Sequence, residues 1–122
     1  KLTPTAGDRR WWTLKTHALA DGILDAAVTR LIENVRRPKE LFWADWDQRQ
    51  QDKIARALDQ LEHATAELEQ RLTIAQIAVG CALGYLDFRF AKEDWRNGRP
   101  QLAAWYGAFA ERPSMRDTVP QA

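Results

Sequence analysis

From Thr73 to Leu86 the chain reads TIAQIAVGCALGYL, a run without a charged residue in a sequence that is 29% charged. Such a run has to be covered by something. It falls short of the roughly 20 apolar residues needed to cross a bilayer core, and Thr73 and Gln76 interrupt it. A buried helix is the alternative. Thr73 and Gln76 have the spacing of a capping box, in which the threonine oxygen accepts from the Gln76 backbone N–H and the Gln76 side chain reaches back to the Thr73 N–H. Leu72 and Ile77 take the staple positions. Beyond this start the segment is apolar on nearly every side, as in a helix surrounded by protein. Ala75, Ala78, Gly80, Ala82 and Gly84 are small enough for neighbouring helices to come close. The run therefore predicts the central rod of a helical bundle and needs no cofactor.

The flanking sequence supplies the other helices. Residues 1–7 contain Pro4 and Gly7 and read as an extended lead-in. Asp8 is an N-cap candidate. A long helix then runs to about Arg36 and stops before Pro38, because proline is excluded from helix interiors. Its apolar residues Leu19, Ile23, Ala26 or Ala27, Leu31 and Val35 recur at helical spacing. Gly22 lowers helix propensity there, which suits close approach by another backbone or a ligand. The next helix starts between Leu41 and Asp45 and ends near Glu69. Ile54, Leu58, Leu61, Thr65 and Leu68 form its buried stripe, and Gln48, Arg49, Lys53, Arg56, Asp59 and Glu62 its solvent face. After a polar link at 91–99, Pro100 opens a helix whose apolar side is Leu102, Trp105, Tyr106 and Phe109. Pro113 ends it, Ser114 to Asp117 form one more turn, and residues 119–122 are a tail. The expected fold is all-α: a bundle of four main helices plus a short C-terminal turn, over residues 8–118.

Composition narrows the function. The 122 residues make one domain, and 18 basic against 17 acidic residues leave a net charge of +1. Nucleic-acid binders carry a clustered basic excess, so no nucleic-acid partner is expected, and no membrane partner either. The amino terminus, KLTPTAGDRRWW, lacks the apolar stretch of a secretory leader. A single cysteine excludes an internal disulfide framework and fits a reducing compartment. The expectation is a soluble cytoplasmic protein.

Few side chains point to chemistry. Asp21 and Asp25 share one helix face, as an acid–base or metal-binding pair would, or as part of a solvated or interface face. Cys81 lies within the apolar run, away from any basic neighbour, and reads as a small core residue. His17 and His63 lack metal-ligand spacing, and no metal site is expected. Trp11 and Trp12 could cap the bundle or pack on another domain. Trp43 and Trp46 either line an apolar substrate pocket or contribute core area. Arg36 and Arg37 suit the negative end of a helix dipole. No Gly-rich phosphate loop, Cys-x-x-Cys or His-Glu-x-x-His motif occurs, and no catalytic residue is assigned.

The pattern LTIAQIAVGCALGYLDFRF followed by NGRPQLAAWYGAFAERPSM resembles the C-terminal helical domain of bacterial glutathione S-transferases. Thr73, Pro100, Leu102, Trp105, Arg112, Pro113 and Ser114 match that family's capping box, Pro-x-Leu-x-x-Trp helix and closing Arg-Pro-Ser turn. Gln76 stands where the family usually has aspartate. ALADGILDAAV is similar to the first helix of that domain. The resemblance implies a missing thioredoxin-like N-terminal domain that carries most glutathione contacts and the thiol-activating residue, so this chain alone should be inactive. It implies a homodimer in which Asp25, with Asp21 beside it, reaches the γ-glutamyl amine of glutathione held by the other subunit. It further implies that Thr29, Glu33, Arg30 and Ile32, with Trp43 and Trp46, line the substrate pocket or the interface. The whole enzyme would conjugate glutathione to, or reduce, electrophilic apolar substrates. Two other functions fit the same fold: a non-catalytic interaction module, or the ligand-binding domain of a regulator, although no helix-turn-helix is present.

Overall fold

The computed structural model describes residues 1–121. Ala122, the last residue of the expected tail, lies outside the described residues. The chain is all-α, with no strand among the described residues. The first helix, α1, spans Gly7–Leu31 and widens into a single π-helical turn, Ile32–Arg36. A 3₁₀ turn at Lys39–Leu41 leads to α2, Ala44–His63, which breaks at Ala64 before the short α3, Thr65–Leu68. Then follow α4 (Ile74–Arg89), α5 (Pro100–Phe109) and α6 (Pro113–Arg116).

The central-rod expectation for α4 holds. Ala75, Val79, Ala82 and Leu83 are fully buried, and α4 packs chiefly against α1. Its start is the predicted capping box. The Ala75 N–H donates to Thr73 Oγ1 at 3.1 Å, and the Thr73 N–H donates to Gln76 Oε1 at 2.9 Å. Glutamine does more than close the box. Its Nε2 donates to the Arg71 carbonyl at 3.0 Å, satisfying a loop oxygen that an aspartate, an acceptor only, would leave without that donor.

Three readings need correction. Cys81 is exposed, not core. An apolar helix surface asks for cover, but no helix among the described residues covers Cys81. It opens on a trough of about 350 Å³ lined by Cys81, Phe88, Tyr106, Met115 and Val119 among others. Val35 is 66% exposed. A step of four residues overshoots a 3.6-residue turn by about 40°, so the series from Leu19 walks around the helix and leaves the core. The buried register of α1 is instead Thr13, Thr16, Ala20, Ile23, Ala27 and Arg30, continuing to Glu33 in the π turn. Asp8 lies inside the first turn of α1, and the N-cap position is Ala6.

The solvent face of α2 also does more than expected. The Glu62 carboxylate accepts from the Leu102 N–H at 2.7 Å and the Gln101 N–H at 3.2 Å. It thereby caps α5, whose own N-terminal residues supply no side-chain cap. Asp59 pairs with Arg99 at 2.9 Å. Helix starts carry backbone N–H groups that lack intrahelical partners; here a carboxylate from a distant helix supplies the acceptor.

Candidate functional site

The outward side of α1 carries Leu14, Ala18, Asp21, Gly22, Asp25, Val28 and Ile32, all of them exposed. Helical geometry sets these residues on one side at steps of three and four. Apolar groups lie at both ends of this stripe and the two carboxylates at its middle. Beyond its own helix backbone and chain neighbours, nothing among the described residues lies within 4 Å of a methyl group placed on Gly22, so the close approach expected there does not come from them. Asp21 is 3.7 Å from His17 Nε2. The Asp25 carboxylate meets no cation among the described residues; only its backbone carbonyl is engaged, accepting from Thr29 Oγ1 at 2.8 Å. No cluster of His, Cys, Asp and Glu suited to a metal occurs among the described residues, and the Asp21–Asp25 pair is not one.

The residues expected around a pocket divide into two sets. Ile32 (51% exposed) and Trp43 (57% exposed) are open. Trp43 stacks on the half-buried Trp46 with ring centroids 6.2 Å apart. Arg30 and Glu33, by contrast, are buried and turn inward. Arg30 Nε donates to Asp47 Oδ1 at 3.1 Å, and its Nη1 and Nη2 donate to the Glu93 carboxylate at 2.8 and 3.0 Å. The guanidinium also lies over the Phe90 ring at 4.7 Å. Burial acts to lower the Arg30 pKa, but the bonds to Glu93 and Asp47 outweigh it and the net shift is upward. Glu33 Oε2 accepts from the Trp43 N–H at 2.8 Å and Oε1 from Arg37 Nε at 2.7 Å. The Trp43 N–H foremost, with Arg37, holds the Glu33 carboxyl below its ordinary value against the opposing effect of burial.

A second polar cluster closes the link after α4. Asp87 accepts from Trp95 Nε1 at 2.8 Å and from both Arg96 terminal nitrogens at 2.7 and 2.8 Å. Sequence reasoning missed this cluster and the Arg30 cluster alike. Both join residues whose approach only the folded chain sets.

Residues 20–108 match the family model described as glutathione S-transferase, C-terminal domain. The chain belongs to the glutathione S-transferase family, as its C-terminal domain. A curated relative, the uncharacterized GST-like protein YibF of Escherichia coli (strain K12), is 37% identical over 87% of this chain. A solved glutathione transferase family member from Pseudomonas fluorescens Pf-5, with bound glutathione, is 50% identical over 99% of the chain, with a TM-score of 0.97. A structure of a glutathione transferase family member from the same organism with bound S-(propanoic acid)-glutathione gives a TM-score of 0.96. A glutathione S-transferase from Methylobacillus flagellatus KT with GSH bound is 34% identical over 98% of the chain, with a TM-score of 0.91. The chain spans 54% of the curated relative and 60–63% of these three solved chains. In this transferase domain α1 is the helix that carries the DG-x-x-D segment, and α4 is the capped central helix. No helix among the described residues is long and apolar enough to cross a membrane.

Proposed function

We propose that this domain forms the helical wall of the substrate pocket and part of the dimer face of a cytoplasmic glutathione S-transferase. A thioredoxin-like domain of the same protein holds most of the glutathione and activates its thiol. The reaction joins the glutathione sulfur to an electrophilic, largely apolar substrate, or reduces such a substrate. Asp25 carries the assignment. Its carboxylate stands exposed at the centre of the outward stripe of α1 and meets no cation among the described residues, so it is free to take a cationic partner from outside. The γ-glutamyl amine of glutathione held by the second subunit is that partner, with Asp21 beside it. The bound glutathione and S-(propanoic acid)-glutathione of the Pseudomonas fluorescens relative support the ligand class. Thr29, Ile32, Trp43 and Trp46 face the electrophile or the interface, with Arg30 and Glu33 behind them.

Calorimetric titration of the full-length protein with glutathione tests this reading. Asp25→Ala should weaken binding by about 1.5–3 kcal/mol, the range for a hydrogen bond to a charged group, with little change in melting temperature. Unchanged affinity would reduce Asp25 to a solvated surface residue.

A further inference from the structure

The exposed indole of Trp43 sits at the end of a connection that has few ties to the core. Residues 34–45 are all exposed. The backbone is extended at Arg37 and again at Phe42 and Trp43. Trp43 is the N-cap residue of α2, and no side chain of its own segment caps that helix. A helix start without a cap frays, because its first N–H groups have no intrahelical acceptor.

The end of α1 ties this start down at three points, one of them an acceptor for a backbone N–H. The Glu33 carboxylate accepts from the Trp43 N–H at 2.8 Å. Arg30 holds Asp47, in the first turn of α2, through Nε at 3.1 Å. Asn34 Nδ2 donates to the same Asp47 oxygen at 2.7 Å. Arg30 is anchored in turn by Glu93, on the link between α4 and α5. The π turn at Ile32–Arg36 is the local element that carries Glu33 inward while Ile32 and Val35 stay exposed. Such turns are frequent at functional sites.

Every strong hydrogen-bonding atom of this set already has a partner. Both Glu33 oxygens are engaged, by Arg37 and Trp43. Each Arg30 nitrogen donates to Asp47 or Glu93. The two side chains are 2% and 6% exposed. Both side chains border surface depressions, but a substrate could hydrogen-bond to either only by displacing one of these partners. What the cluster does fix is the turn on which Trp43 and Trp46 stand.

We infer that Arg30 and Glu33 are positioning residues of the pocket: they do not touch the electrophile, but hold the Trp43–Trp46 turn in the geometry that receives it. This rests on the pocket assignment above. The test uses the full-length protein labelled with 5-fluorotryptophan, with signals assigned through Trp43→Phe and Trp46→Phe. In Glu33→Gln and Arg30→Lys, the fluorine signals of Trp43 and Trp46 should move or split while that of the core residue Trp105 stays. With chlorodinitrobenzene as electrophile, its KM should rise about five-fold and that for glutathione should stay within about two-fold, the pattern of lost binding geometry at one subsite. If Arg30→Lys fails to fold, Glu93→Gln loosens the same clamp from its half-exposed partner. Unmoved Trp43 and Trp46 signals, or an unchanged electrophile KM in folded variants, would overturn the inference. A fall in kcat with unmoved signals would overturn it too, since that is the behaviour of direct contact. A wild-type protein that conjugates no glutathione would sink the proposed function instead, and the fluorine spectra would still decide whether the clamp positions the indoles.

Discussion

Glu33 shows how much a single side chain can depend on its neighbours. Its folded pKa is lowered, chiefly by the Trp43 N–H. A lowered carboxyl pKa contributes stability that is fully present above the unfolded value, here 4.5, and is lost as pH falls through the folded one. The stability gap between wild type and Glu33→Gln should therefore be constant at neutral pH and shrink on acidification below that value. Thermal melts across that range would show it, and a gap that widened on acidification would be the wrong sign. Thr73 offers a simpler case. Its hydroxyl accepts from the Ala75 N–H and donates to Gln76 Oε1 at 2.6 Å. Thr73→Ala should cost about 1 kcal/mol in denaturant unfolding, the usual value of a lost N-cap. Thr73 and Gln76 were legible from local spacing alone. Glu33 was legible only as a residue on the right helix, since its partner N–H belongs to Trp43 across a connection whose path the sequence does not specify.

Among the helices, α4 and α1 use glycine in opposite ways. A methyl group on Gly80 would meet the Phe109 ring at 2.8 and 3.0 Å and Met115 Cε at 3.1 Å. Met115 has a flexible end and can yield. Phe109 cannot yield easily, because its ring is stacked on Trp105 with centroids 4.7 Å apart. Overpacking a close-packed site costs about 1–3 kcal/mol, which exceeds the roughly 1 kcal/mol that alanine gains over glycine in a helix. Gly80→Ala should therefore destabilise the domain. Gly22 has open space around it, so Gly22→Ala should raise the stability of the isolated domain by about 0.4–1 kcal/mol. Urea unfolding of the two variants checks both signs. The same sign for both would mean that propensity alone decides. The stripe of small residues in α4 was read from the sequence as room for close approach, and at Gly80 it is that. The glycine in α1 was read the same way, yet no neighbouring element among the described residues approaches it.

At the scale of the whole molecule, apolar groups lie uncovered along the outward stripe of α1, in the trough beside Cys81 and on the connection that carries Leu41, Phe42 and Trp43. Their presence agrees with a chain that spans 60–63% of its solved transferase relatives. On the proposed reading this domain gives the substrate a surface, and the residue that activates the glutathione thiol belongs to the other domain. We expect this chain alone to conjugate chlorodinitrobenzene with glutathione no faster than buffer does. A rate above buffer in an absorbance assay, abolished by a substitution within the domain, would show that activating chemistry resides here.

The sequence by itself determined the helical class, the start of α4 at the Thr73 capping box, the stop before Pro38 and the transferase family. Each of these is written in contiguous residues, where capping, proline geometry and helical period act within a few positions. It also put Asp21 and Asp25 on one helix face; that this face is exposed came from the fold. Pro113, expected to end α5, instead opens α6 after α5 has stopped at Phe109. What only the tertiary structure decided is which sides of each helix find cover and which charges find each other. Arg30 meets Glu93 across 63 positions and Glu62 meets Leu102 across 40. Period tells that α4 is apolar nearly all round; it does not tell that Cys81 faces a trough and Leu83 the core. Burial belongs to a pair of surfaces, and a single helix specifies only one of them.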